Sequence, residues 1–321
     1  MATIPTITIA DAPFNDPADS VDLVIRTADN VEFFILSGLL SLKSPSSFFR
    51  HVLKSSQHTE ERGGFPVLEV EEDSDTFRTI LLLCYPDVDP QIKSVDQIVA
   101  VKKALDKYCM DHTLEKFIQT VTVSPLMKEE ALRIFALALV NGWRVLGEAA
   151  AKSTFTIPLN DPEAELEDLC SINALQYVRL RNYHRKCRLA AEDLLDPSLA
   201  PWLKGKETEL LFLHNWVTSK PMCRWCGKYL EYSHVVRFHT HPWIDDYFAA
   251  VKTEMRRRPH PEFALDDVII ADAVTKSISQ CYYHEEWKKI ATSQVRLCGK
   301  LLKEEIDKRI SQIPLNIDWT K

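Results

Sequence analysis

The sequence predicts an α+β protein: a small unit of strands and helices near the N-terminus, followed by a largely helical C-terminal region. Two runs of β-branched and aromatic residues, 21–26 and 31–35, flank an Asp-Asn turn, which is typical of a hairpin. From residue 124 onward, apolar residues recur at helical spacing almost to the end of the chain.

Composition limits the class of protein. The chain has 321 residues, of which 45% are hydrophobic and 26% charged, as in ordinary globular proteins of one to three domains. Its net charge of -7 argues against a general nucleic-acid binder. No signal peptide is recognisable, and the apolar runs fall far short of a membrane span, so a cytoplasmic or nuclear protein is expected, neither secreted nor membrane-bound.

The first elements follow from local signals. Residues 1–16 contain prolines and little periodicity, and we expect a flexible arm. After the hairpin, residues 39–53 have helical spacing, and a Gly-Gly pair with Pro66 introduces a third strand over 67–70. Asp73, Ser74 and Asp75 are candidate N-cap residues for a helix that includes Phe77.

These motifs, in this order, resemble a BTB/POZ domain. The resemblance covers about residues 17–121, and the residue after the second strand, Leu36, stands where the family usually has histidine. It implies self-association through the first strand and helix, or binding of a cullin scaffold as a substrate adaptor of a ubiquitin ligase. The motifs that carry it are Asp22-Leu23-Val24-Ile25, Phe33-Phe34-Ile35, Ser46-Ser47-Phe48-Phe49, Leu68-Glu69-Val70, Tyr85-Pro86 and Lys107-Tyr108-Cys109-Met110.

The remainder reads as helices. Residues 128–143 place five apolar side chains on one predicted face, and 171–195 form a long predicted helix with a basic side. That basic side suggests either a surface for an anionic partner or an ordinary solvated face. We predict an arm over 1–16, a BTB/POZ-like domain over 17–122, a helical domain over 123–200 and a helical zinc-binding module over 201–321.

A zinc site is predicted from paired ligands. Cys223 and Cys226, followed by glycine, form a metal-knuckle pattern, and Cys281 with His284 repeats the two-residue spacing. A closed Cys3His shell would make the zinc structural, since no position stays open for water. His239 and His241 are alternative ligands, because they lie nearer to the knuckle in sequence. The whole-chain layout resembles BTB-containing proteins of mushroom-forming fungi, which often carry paired cysteines at these two places.

The expected function is non-enzymatic. Nucleotide-binding and hydrolase motifs rich in glycine are missing from the sequence, and the segment that begins at His284 misses HExxH because position 288 is lysine. The leading hypothesis is an interaction module that binds a protein partner or a second copy through the BTB unit and contains structural Zn2+. The alternatives are a zinc-containing nucleic-acid-binding or transcriptional regulator, a cullin-RING adaptor, and an enzyme using an open metal site.

Overall fold

The structure is a computed structural model. It describes residues 6–17, 20–44, 61–86, 88–159, 170–195, 201–206, 208–213, 231–232, 239–280 and 285–319. The chain forms two compact units, Met1–Ala150 and Ala151–Lys321. The finer divisions predicted at residues 122 and 200 stay predictions.

The first unit contains a five-stranded mixed sheet. Its central hairpin confirms the predicted one, and the predicted third strand joins the hairpin in parallel with β2. In the sheet the strands lie side by side in the order β1-β3-β2-β5-β4. The strands are β1 (Thr8–Ile9), β2 (Leu23–Arg26), β3 (Val31–Ile35), β4 (Glu61–Arg62) and β5 (Phe65–Glu69).

The N-terminal segment belongs to the sheet. A flexible arm was predicted over 1–16, but β1 pairs in parallel with β3, and Phe14 is completely buried. The Phe14 ring meets Tyr85 edge-on at 5.1 Å, and the Arg78 guanidinium lies 5.6 Å from the Phe14 ring centre. Burial of one aromatic ring removes enough apolar surface from water to hold a short segment in place. The weak periodicity of the segment did not indicate this contact.

Helices of the first unit pack around the buried ring of Phe77. Phe77 lies 6.3 Å from both Phe33 and Tyr108, measured between ring centres. It therefore links its own helix to β3 and to the end of the helix that precedes Tyr108. Asp73 caps the helix that contains Phe77, as predicted, by accepting a hydrogen bond from the Thr76 amide. The helices are α1 (Ser37–Lys43), α2 (Ser74–Cys84), α3 (Val95–Lys107), α4 (Asp111–Val123), α5 (Leu126–Glu129), α6 (Ala131–Asn141) and α7 (Arg144–Ser153).

The single apolar helix expected over 128–143 is divided. Glu130 leaves the helical conformation, with φ -121°, and separates α5 from α6. Val140, expected on the buried face, is half exposed. Gly142 ends α6 in the left-handed region, with φ 71°, as its position in the sequence suggested.

The second unit is largely helical. Its helices are α8 (Ala174–Leu194), α9 (Trp243–Arg257), α10 (Asp267–Gln280) and α11 (Glu285–Ser311). A short antiparallel pair, β6 (Glu231–Tyr232) and β7 (His239–Thr240), precedes α9. Asn173 and Gln176 form a capping box that starts α8 three residues later than the sequence suggested. No helix in the described part of the chain is both long and apolar enough to cross a bilayer.

Candidate functional site

The four predicted zinc ligands, Cys223, Cys226, Cys281 and His284, lie outside the described residues. Of the alternatives, His239 lies in β7, and His241 is partly exposed immediately before α9. Within the described ranges, no three His, Cys, Asp or Glu side chains come together as a metal-binding group. The zinc site therefore stays a prediction, and only its surroundings can be described.

Those surroundings bring two of the predicted ligand regions together. The backbone amide of Trp243 donates to Gln280 Oε1 at 3.1 Å. Trp243 is two residues beyond His241, and Gln280 directly precedes Cys281. The chain after β7 therefore meets the end of α10 at the point where the second ligand pair begins. Ligands far apart in sequence can reach one ion only where the backbone makes such an approach.

An aromatic cluster lies beneath this junction. The Trp243 ring lies 4.9 Å from Phe212 and 6.4 Å from Trp287, measured between ring centres. Trp287 Nε1 donates to Ser277 Oγ at 3.3 Å, whereas the buried Trp243 Nε1 meets no hydrogen-bond acceptor among the described residues. A buried N–H without an acceptor costs about 1–3 kcal/mol.

The second candidate site is the outer edge of the first unit's sheet. Thr8 and Ala10 donate backbone hydrogen bonds toward β3, to Asn30 O at 3.0 Å and Glu32 O at 2.9 Å. Alternate residues of a strand direct their amides to opposite edges, so the Ile9 amide faces away from the sheet. The Ile9 side chain is 53% exposed. Among the described strands β1 is the outermost of the sheet, and an outer strand with an exposed apolar side chain favours pairing with another chain.

Helix α1 also has exposed apolar residues in it or directly before it. Leu36 precedes the helix, and Leu42 within it is 71% exposed. Leu42 is therefore far from the usual buried state of leucine. Helix α1 is the first helix of the region that the BTB/POZ resemblance covers and one of the elements to which it assigns self-association, whereas β1 lies before residue 17, outside that region.

A buried ion pair fixes the sheet behind this edge. The carboxylate of Glu32 is completely buried, and its Oε1 accepts from Arg26 Nη2 at 2.8 Å and Nε at 3.2 Å. Arg62 Nε lies 3.2 Å from the other oxygen, Oε2. This carboxylate is therefore paired with two guanidinium groups in the interior of the sheet. We therefore interpret this cluster as structural.

Sequence analysis missed one feature of α8. It predicted the basic side of the helix, but not that residues 314–316, after α11, close a cavity of about 180 Å³ against that side. Arg179, Asn182 and Lys186 line the helix wall of the cavity. Only Pro314, which ends the preceding helical pattern, signalled that the chain turns here.

Comparison of the chain with protein-family models gives no match, and comparison with curated proteins gives none either. The BTB/POZ assignment therefore stays an interpretation of the motifs.

Proposed function

We propose that the protein is a non-enzymatic interaction module whose first unit pairs with a second copy of itself. The observation that carries this proposal is the position of β1 as the outermost strand of the described sheet, where the Ile9 amide faces away from β3 and the Ile9 side chain is exposed. Two such edges from identical chains bury each other's isoleucine and satisfy each other's free amides.

The topology supports the same proposal. A hairpin with a parallel third strand, followed by a helix pair, is what the BTB/POZ resemblance implies for this region. That resemblance assigns self-association to its first strand and helix, and the exposed Leu42 lies in that helix, α1. A symmetric dimer is the commonest homo-oligomer, because one self-complementary patch is sufficient to form it.

The test is the mass of the native full-length chain, measured by sedimentation over a range of micromolar concentrations. We expect a dimer that Ile9→Asp and Leu42→Asp convert to a monomer, since each variant buries a charge in an apolar interface. Val123→Asp is the matched control: Val123 is 83% exposed in α4, and its variant should remain dimeric. A monomeric wild-type chain, or a dimer unaffected by Ile9→Asp and Leu42→Asp, would contradict the proposal.

We further propose that one structural Zn2+ joins the two ligand regions of the second unit, through Cys223, Cys226, Cys281 and a histidine. When bound, the ion would supply folding free energy and no chemistry. The approach of Trp243 to Gln280, directly before Cys281 in the sequence, supports this proposal. Which histidine completes the site, His284, His239 or His241, is decided by single substitutions with elemental analysis of the purified chain.

A further inference from the structure

The exposed side of α8 contains residues that repeat at alternating spacings of three and four. Leu175, Asn182 and Leu189 are seven residues apart, and Val178 and Arg185 lie between them at spacings of three and four. Alternating spacings of three and four place residues along a single stripe of a helix, as at the seam of a coiled coil.

Three apolar members of this stripe lie in solvent. Leu175 is 57% exposed, Val178 is 48% exposed and Leu189 is 43% exposed. The opposite face of α8, including Leu180, Cys187 and other residues, forms the buried packing surface of the helix. Three exposed apolar side chains in one register are unusual on a helix whose other face already provides its core contacts.

The stripe is flanked by positive charge on both sides. Arg179 and Lys186 follow it on one side, and Arg181 and Arg188 on the other. Residues 174–191 contain five basic residues and no acidic one, although the whole chain has a net charge of -7. Within the described residues, Arg179, Arg185 and Lys186 make no salt bridge.

The cavity lies on the Arg179 and Lys186 side. Its volume of about 180 Å³ accommodates a side chain, and its other wall is Pro314, Leu315 and Asn316. A carboxylate entering from a partner would meet three cations, Arg179, Arg185 and Lys186, and the Asn182 amide, with an apolar wall for its carbon chain. Such a pocket would hold one acidic side chain of a bound helix in a fixed position and pair its charge.

We propose that the outer face of α8 binds an acidic amphipathic helix of a partner protein. The partner's apolar residues would cover Leu175, Val178 and Leu189, and its glutamates or aspartates would pair with the flanking cations. A second copy of α8 is excluded as occupant, because it would place like charges opposite one another. The proposal is independent of self-association through β1, since it concerns the second unit alone.

The test uses the full-length chain and two synthetic peptides. Both have three heptads with leucine at the apolar positions; one has glutamate at the flanking positions and the other has lysine. We expect the glutamate peptide to bind at least tenfold more tightly than the lysine peptide, measured by fluorescence anisotropy, with affinity that falls as salt is added.

Reversing two charges on α8 tests whether peptide binding depends on these residues or only on general electrostatic attraction. Arg179→Glu with Lys186→Glu should weaken the glutamate peptide at least tenfold and create binding of the lysine peptide. Arg257→Glu with Lys300→Glu is the charge-matched control on exposed residues outside α8, and should leave both affinities unchanged. Val178→Asn, which keeps every charge, should also weaken the glutamate peptide if the apolar stripe is covered.

Three outcomes would overturn the proposal. The first is no preference for the glutamate peptide, and the second is equal loss in the Arg257→Glu and Lys300→Glu control. The third is an α8-dependent interaction with anionic phospholipid vesicles or a DNA duplex in the absence of peptide binding. Circular dichroism of each variant separates loss of binding from loss of folding, and the sedimentation assay reports on β1 separately.

Discussion

His184 Nε2 lies 2.7 Å from Thr154 Oγ1 in the interior of the second unit. The Thr154 hydroxyl donates its own proton to Ala151 O at 2.6 Å. Thr154 therefore accepts from His184, which fixes the imidazole as the neutral Nε2–H tautomer. Phe155 covers the ring edge-on at 5.0 Å. A second proton on this imidazole would bring a charge into an apolar interior.

This pair predicts acid sensitivity. Burial lowers the pKa of His184 from 6.5 to about 3. Between those values the unfolded chain binds a proton that the folded chain does not, so stability falls as pH falls through this window. His184 lowers the free energy of unfolding by nothing above about pH 6.5 and by about 2–3 kcal/mol at pH 4.5.

The measurement is urea unfolding at several pH values, comparing wild type with His184→Gln. Glutamine keeps an N–H for Thr154 but does not titrate, so the variant should lose stability less steeply below pH 6.5. Acidic groups elsewhere affect both chains equally, and equal slopes in the two chains would refute the assignment.

A second prediction concerns Gly299 in α11. A Cβ atom at this position would overlap the Ala264 carbonyl oxygen and lie 3.0 Å from Leu265 Cδ2 and Tyr247 Oη. Tyr247 donates to that same carbonyl at 2.6 Å, which prevents it from moving away. Gly299→Ala should therefore destabilise the second unit by about 1–3 kcal/mol, measured by thermal unfolding.

Gly38 in α1 provides the matched control. No heavy atom lies within 4 Å of a Cβ built there. Gly38→Ala should stabilise α1 by up to about 1 kcal/mol through helix propensity alone. Stabilisation by both alanine variants would show that the contact at Gly299 does not constrain packing.

The third prediction concerns the buried pair of Arg26 and Glu32. Arg26→Leu leaves the Glu32 carboxylate buried with Arg62 alone, and should cost about 3–5 kcal/mol in the free energy of unfolding. Replacing both residues with leucine should recover much of that loss, because no unpaired charge remains.

The exposed pair of Lys93 and Asp75 is the comparison. Lys93→Ala should change the free energy of unfolding by about 0–1 kcal/mol, since water already screens these charges. A cost for Arg26→Leu as small as that of Lys93→Ala would mean that the buried pair does not hold the sheet together.

The fourth prediction separates the eight cysteines by reactivity. Burial raises the pKa of the Cys84, Cys187 and Cys298 thiols to about 12, so these side chains should resist alkylation in the native chain. Cys109 and Cys170 are exposed and should react rapidly.

Metal removal extends the same measurement to the remaining three cysteines. If zinc is bound, Cys223, Cys226 and Cys281 should react only after a chelator is added, and mass spectrometry of the labelled peptides identifies them. Cys170→Ser controls for general exposure. Rapid labelling of all three without chelator, in a folded sample without zinc, would eliminate the proposed site.

Sequence reasoning succeeded where one local signal determined the structure. The hairpin at 21–35 and the Asp73 cap follow from turn and capping chemistry within a few residues. It failed where a distant contact decided the outcome: Phe14 is held by Tyr85 and Arg78, more than 60 residues away. Glu130 interrupts a predicted helix whose apolar pattern continues through it, because periodicity does not show where the backbone leaves the helical conformation.

For the candidate sites the limits are different. Cysteine spacing predicts ligand pairs but not which histidine joins them, since spacing contains no distance between remote segments. Positive charge on α8 was visible in the sequence, but the exposed fractions of Leu175 and Val178 depend on which face packs inward. Only the fold shows that these apolar residues remain in water.

The burial of Phe14 decides how the first unit can be produced in isolation. A recombinant chain that starts at residue 17, where the motif resemblance begins, removes an aromatic ring from beside Tyr85 and leaves β3 as the outermost strand. The unpaired edge of β3 would then pair with strands of other molecules, and the truncated chain would precipitate or form irregular aggregates. Starting upstream of Thr8 retains β1 and the buried Phe14 ring.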